Sequence, residues 1–186
     1  MPYIGTKSKG IPIKNLITLN PTATENFEKA VSFLESIGIV VRFSNFDDTT
    51  SLPGISIENG TLIINKETLK FPGDILHEAG HIAVVPASDR PTLSDANIDQ
   101  RKDRAAEEMM AISWSYAVCV HLQLDPAFVF HDEGYKGQAR QIIDSFEQGN
   151  YLALPMLQWV GMALEKRIES EPEKPVYPIM LRWLRQ

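Results

Sequence analysis

The chain has 186 residues, 44% hydrophobic and 23% charged, with a formal net charge of −6. That length and apolar content suit one domain with a buried core rather than two. The acidic balance argues against a dedicated nucleic-acid binder, which gains affinity by neutralising phosphates, and the single cysteine, Cys119, excludes an internal disulfide and is compatible with a reducing compartment.

The opening MPYIGTKSKGIPIKNL has no apolar core and no small-residue cleavage site, so a secretory leader is not expected and a cytoplasmic location is. GTKSKG lacks the Gly-Lys-Ser/Thr ending of a phosphate loop. Residues 1–20, with three lysines, read as a lead-in, either a solvated tail or an edge strand. A helix is expected over about 25–37, capped by Thr22 or Thr24, with Phe27, Val31, Phe33 and Leu34 on its apolar face. Gly38 breaks it, and the β-branched run 39–44 reads as a strand. A polar loop at 46–51 follows. Residues 55–58 and 61–65 then flank Asn59-Gly60, a strong hairpin signal. A small three-stranded sheet is the result.

Pro72 suits the first turn of the next helix, which should end before Pro86. After a loop at 87–95, a long helix is expected over about 98–122. Asp125-Pro126 marks a turn, and helices are expected at 138–147 and 154–168. Residues 169–175 read as a polar linker, and the apolar stretch 177–184 should dock back on the domain. No stretch approaches the ~18 apolar residues of a membrane-spanning helix, so no membrane partner is expected. The fold class is α+β, a single domain over 1–186.

The segment His77-Glu-Ala-Gly-His81 carries the chemistry. Two histidines four apart on a helix share a face, separated by a rise of ~6 Å, so both imidazoles can reach one cation. Neutral imidazole suits zinc, and catalytic zinc sites use three protein ligands plus water. A bound zinc lowers the pKa of that water from ~16 to about 7, so a glutamate beside the first ligand, Glu78, can take its proton. Ala79 and Gly80 let a neighbouring helix come close, which would justify the ~1 kcal/mol that glycine costs inside a helix. Chance would place such a pentad in a chain of this composition with a probability of roughly 0.6%. A His-Glu-His face between Ile75-Leu76 and Ile82-Ala83-Val84-Val85 would also be costly to bury without partners.

A third ligand is needed, and the long helix offers Glu107 and Glu108. A ligating glutamate draws its helix against the motif helix, so small residues should share its face. From Glu108 that face holds Ala105, Ala111, Ser115 and Cys119; from Glu107 it holds Arg104, Met110, Trp114 and Val118. Glu108 is therefore favoured, with Glu107 the main alternative and His121 or His131 behind it.

With these residues in view, the stretch from Gly38 to about Val120 resembles the gluzincins, HExxH zinc peptidases whose third ligand is a glutamate on a downstream helix. More narrowly, it resembles the compact minimal gluzincins and the ImmA/IrrE-type metallopeptidases. The matching parts are IGIVV, IENGTLIIN, DILHEAGHIAVV and EEMMAISWSYA. The resemblance implies His77, His81 and Glu108 as ligands to one zinc per chain and Glu78 as general base. It also implies a zincin-like core, a small sheet packed on the HExxH helix and a long glutamate-bearing helix, here with extra C-terminal helices.

Peptide hydrolysis needs a donor for the developing oxyanion. His131 and Tyr135 are candidates for that role or for an outer partner of the ligands, with Tyr116 and His121 behind them. Asp74 could orient a ligand imidazole, but a helix cap is the simpler role. Cys119 reads as a small buried hydrophobe, and Trp114, Trp159 and Trp183 as core. The expected function is zinc-dependent hydrolysis of a peptide or protein substrate. The alternative is a non-proteolytic, zinc-stabilised sensor or interaction module on the same fold.

Overall fold

The computed structural model describes residues 21–46 and 52–186. The lead-in expected over 1–20 and most of the polar loop expected at 46–51 lie outside the described residues. The first helix, α1, runs Pro21–Ser36. It starts before the expected position because Pro21 has the fixed φ that suits a first turn. Thr22 and Thr24 thus lie within the helix rather than ahead of it. Phe27, Ala30, Phe33 and Leu34 are buried, and Gly38, at φ +92°, turns the chain out.

Three short strands follow: β1 (Val40–Phe43), β2 (Ile55–Glu58) and β3 (Thr61–Ile64). Their order is β1-β3-β2, with β1 parallel and β2 antiparallel to β3. Asn59 and Gly60, at φ 51° and 70°, turn the hairpin with both central residues left-handed, and they pair Glu58 with Thr61. Alternation then buries Ile55, Ile57, Leu62 and Ile64 on one face. Strand β2 is an edge.

Helix α2 (Asp74–Val84) packs beneath the sheet and carries the motif. Gly73 is its N-cap, so Pro72 sits before the helix rather than in its first turn. A side chain at Gly73 would run into the Phe128 carbonyl, 1.7 Å from a Cβ. At the other end the orphan carbonyls are met by distant groups. Arg90 donates to Ile82 and Val85, while Arg185 donates to Ala83 through its backbone and to Val84 through its side chain. The C-terminal tail is docked by these bonds and by Trp114 Nε1, which donates to the Trp183 carbonyl at 2.9 Å.

The long helix expected over 98–122 begins six residues later, and a short helix stands ahead of it. A short α3 (Asp95–Ile98) is followed by a break and then by α4 (Arg104–Leu122). A capping box at Ser94 and Asn97 starts α3. Arg101, in the break, spans Asp89 and Glu107, which holds the chain in a turn there. Helix α5 (Ala139–Glu147) follows the expected span. Helix α6 (Leu154–Trp159) stops well short of residue 168, because Gly161 takes φ +73°. Trp159 consequently ends up 89% exposed rather than in the core, whereas Trp114 is fully buried. Among the described residues no helix is long and apolar enough to cross a membrane.

Candidate metal centre

Helices α2 and α4 touch through their smallest residues. A Cβ on Gly80 would lie 3.1 Å from the Cα, Cβ and carbonyl oxygen of Ala111. One turn on, Ser115 Oγ bonds the Leu76 carbonyl at 3.2 Å and its own helix at Ala111, 2.8 Å. This close approach sets the residue one turn before Ala111, Glu108, over the histidine face of α2. His77 Nε2 lies 3.2 Å from His81 Nε2 and 3.5 Å from Glu108 Oε1, and His81 Nε2 lies 3.3 Å from Glu108 Oε2. The donor atoms all fall within 4.8 Å of one another, close enough to hold a metal ion. The imidazole side chains are 13% and 11% exposed and the Glu108 carboxylate 46%, so the cluster is walled on the histidine side and open on the glutamate side.

Burial sets the charge states. His81 is held down at about 3 by burial, helped by His77 and Arg104. His77 is also lowered by burial, against the pull of Glu108 and Asp74. Both rings are therefore neutral at pH 7, the form that offers a lone pair. Glu78 is pushed up to about 8, first by burial and then by the carboxylates of Asp95, Glu108 and Asp74. It lines, with His77, His81 and Glu108, a cavity of about 610 Å³ that is walled by Ile55 and Ser56 of the sheet edge and by Asp95 and Ile98 of α3.

The other candidates fall elsewhere. Glu107 is buried, and both its oxygens are taken by Arg101, at 2.7 and 2.8 Å, so its carboxylate is not among the grouped donors. His121, on the last turn of α4, packs at tilted angles against Phe33 and Trp183. His131 does not join the cluster. Its Nε2 lies 2.7 Å from Asp74 Oδ1 and its ring stacks on Phe71. Asp74 is thus the partner of His131, not the cap of α2, and burial raises its pKa. Tyr135 does reach the site: its hydroxyl lies 3.3 Å from His77 Nδ1. Tyr116 is buried against Phe146 and Tyr151. Cys119 is fully buried, and burial pushes its thiol up to about 12.

Two features escaped the sequence reading. Asp95 accepts from Ser56 Oγ at 2.7 Å and from the Ile57 backbone N–H at 3.0 Å, so it closes part of the β2 edge. Arg101 joins Asp89 to Glu107. No spacing rule links Asp95 to a strand 38 residues earlier. For Arg101, the one sequence cue was a buried-type position, Glu107, that demanded a cation.

Compared with protein-family models, with curated proteins and with solved structures, the chain matches none.

Proposed function

We propose that the chain is a zinc-dependent peptidase with a zincin-like site, in which His77, His81 and Glu108 hold the ion and Glu78 is the general base. The spacing of the three donors carries the reading. Zinc bonds of ~2.0–2.1 Å in tetrahedral array place neighbouring ligand atoms about 3.3 Å apart. Here the two imidazole nitrogens lie 3.2 Å apart, Glu108 approaches them with different oxygens (Oε1 3.5 Å from His77, Oε2 3.3 Å from His81), and one donor atom from each residue falls within 4.8 Å of the others. Two neutral imidazoles and one carboxylate are an apt donor set for zinc, and the open glutamate side leaves room for water and substrate.

A zinc ion bound there supplies a Lewis acid and water acidic enough to ionise near neutral pH. The chain's own groups do the rest. Glu78 takes the proton of the attacking water and returns it to the amine nitrogen as the peptide bond breaks. A neighbouring dication favours its carboxylate form, offsetting the burial that otherwise keeps it protonated. Ile55 and Ser56 of the sheet edge line the cavity that would receive the substrate.

The test is metal content of protein purified without chelator, followed by turnover of a peptide library by the wild type and Glu78→Gln. The proposal expects about one zinc per chain in both proteins and cleavage only by the wild type. Cleavage surviving Glu78→Gln would refute the general base. Zinc in both proteins with cleavage by neither would leave the sensor or interaction module.

A further inference from the structure

The cluster accounts for one nitrogen of each imidazole. The other nitrogen of His77 is the more informative. Its Nε2 faces Glu108 and His81, so Nδ1, across the ring, points away from the donor cluster and toward Tyr135. The tyrosine hydroxyl lies 3.3 Å from it, with the rings at 89°. A neutral imidazole that offers Nε2 to a cation must carry its proton on Nδ1. Among the described residues, the Tyr135 oxygen is the acceptor placed against that proton.

Tyr135 is itself held in place from two sides. Its backbone N–H bonds the His131 carbonyl at 3.3 Å. Gly134 N–H donates to His131 Nδ1 at 3.1 Å, which fixes that ring's remaining proton on Nε2, where it donates to Asp74 Oδ1 at 2.7 Å. Gly134 is required for this turn, because a Cβ there would sit 2.9 Å from the His131 ring. One five-residue loop therefore grips α2 at Asp74 and again at His77, one turn later. Tyr135 is half-buried, and the burial of its hydroxyl, together with the nearby Asp74 carboxylate, raises its pKa, so it stays a neutral phenol.

We infer that Tyr135 is a positioning residue that fixes the tautomer and ring plane of His77 through Nδ1, with the His131–Asp74 pair bracing the loop, and that it is not the oxyanion donor. This rests on the zinc reading above but not on peptidase activity. Outer hydrogen bonds of this kind are worth roughly 10–100-fold in metal affinity. An oxyanion donor would instead lower turnover and leave zinc affinity alone.

The experiment is zinc affinity by chelator competition for the wild type and Tyr135→Phe, with urea unfolding of both metal-free proteins. Proton NMR of the zinc-loaded forms adds a direct view of the His77 Nδ1–H. The expected result is zinc binding weakened roughly 10–100-fold, an unchanged metal-free midpoint, and loss of a slowly exchanging downfield Nδ1–H signal. Affinity within twofold of wild type with the signal retained would overturn the assignment. An equal loss of metal-free stability would also overturn it, by showing a packing role. If the wild type takes up no zinc in the same titration, the zinc reading itself falls and takes this assignment with it.

Discussion

On one side of the His77–His81–Glu108 cluster, α2 and α4 meet through Gly80, Ala111 and Ser115, where a Cβ added at Gly80 would lie 3.1 Å from Ala111. On the other side, Asp95 of α3 bonds the β2 edge, the 131–135 loop bonds α2 at Asp74, and a cavity of about 610 Å³ opens beside β2 and α3. The dry side is made of small apolar contacts between regular helices, and it sets the distance between donors. The wet side is made of single side chains on irregular backbone, and it sets orientation and access. Damage to the first should therefore change whether a cation is held at all, and damage to the second how it is held and what reaches it.

The sharpest separation uses two adjacent residues. Glu108→Ala removes a donor and should weaken zinc binding by more than ~100-fold, since losing an outer partner alone costs roughly 10–100-fold. Glu107→Gln should leave zinc affinity within a few-fold but lower stability by about 1–3 kcal/mol, because a charge-assisted pair with Arg101 is lost. Chelator competition and urea unfolding on both variants check this. Reversed phenotypes would mean that the wrong glutamate has been assigned.

The next effect tests the dry side. Ala111→Leu forces a larger side chain between α2 and α4 and should cost about 1–3 kcal/mol. It should also weaken zinc binding, because it drives Glu108 away from α2 without touching any donor. Unchanged affinity in a folded variant would show that the helix spacing does not govern the site.

How far the sequence foretold each side follows from the same difference. The donors on α2 share a helix, and a spacing of four residues fixes their shared face before any tertiary contact exists. Glu108 was favoured over Glu107 by counting small residues on a helical face, again a local argument, and the hairpin declared itself through Asn59-Gly60. The break before α4 was not legible, because Arg101 bridges Asp89 and Glu107 through the fold and no local breaker marks it. The α6 end is hidden in the sequence because apolar residues continue beyond Gly161 in helix-like spacing. His131 is a candidate from its polar surroundings alone, but its partner Asp74 lies 57 residues away, so no local spacing reveals that contact.

A smaller effect comes from pH in the metal-free protein. His81 drops from 6.5 to about 3 on folding, and His77 drops too. The unfolded chain thus binds more protons between about 3 and 6.5, and stability should rise with pH across that range. Glu78 moves oppositely, from 4.5 to about 8, so the folded chain keeps a proton that the unfolded chain has lost. Its contribution is full below 4.5 and is lost as pH rises to about 8. Metal-free stability should therefore peak near pH 6.5 and fall above it by at most ~1.4 kcal/mol per pH unit. Urea unfolding in chelator, repeated on Glu78→Gln, checks this: the falling limb should vanish in the variant.

The smallest expected effect is at the cavity rim. Asp95 ties the Ile57 N–H and the Ser56 hydroxyl, the outward groups of the β2 edge, to the start of α3. Asp95 is exposed, so Asp95→Ala should cost less than about 1 kcal/mol of stability. It should still accelerate hydrogen exchange at the Ile57 amide, which loses its only side-chain acceptor, while the amides of β3 stay protected by their two neighbours. If the two strands instead accelerate together, Asp95 is holding up the sheet, and the edge of the cavity belongs to the rigid side of the comparison. If only Ile57 responds, the rim can open without disturbing the spacing of the donors, which is the division of labour the two sides imply.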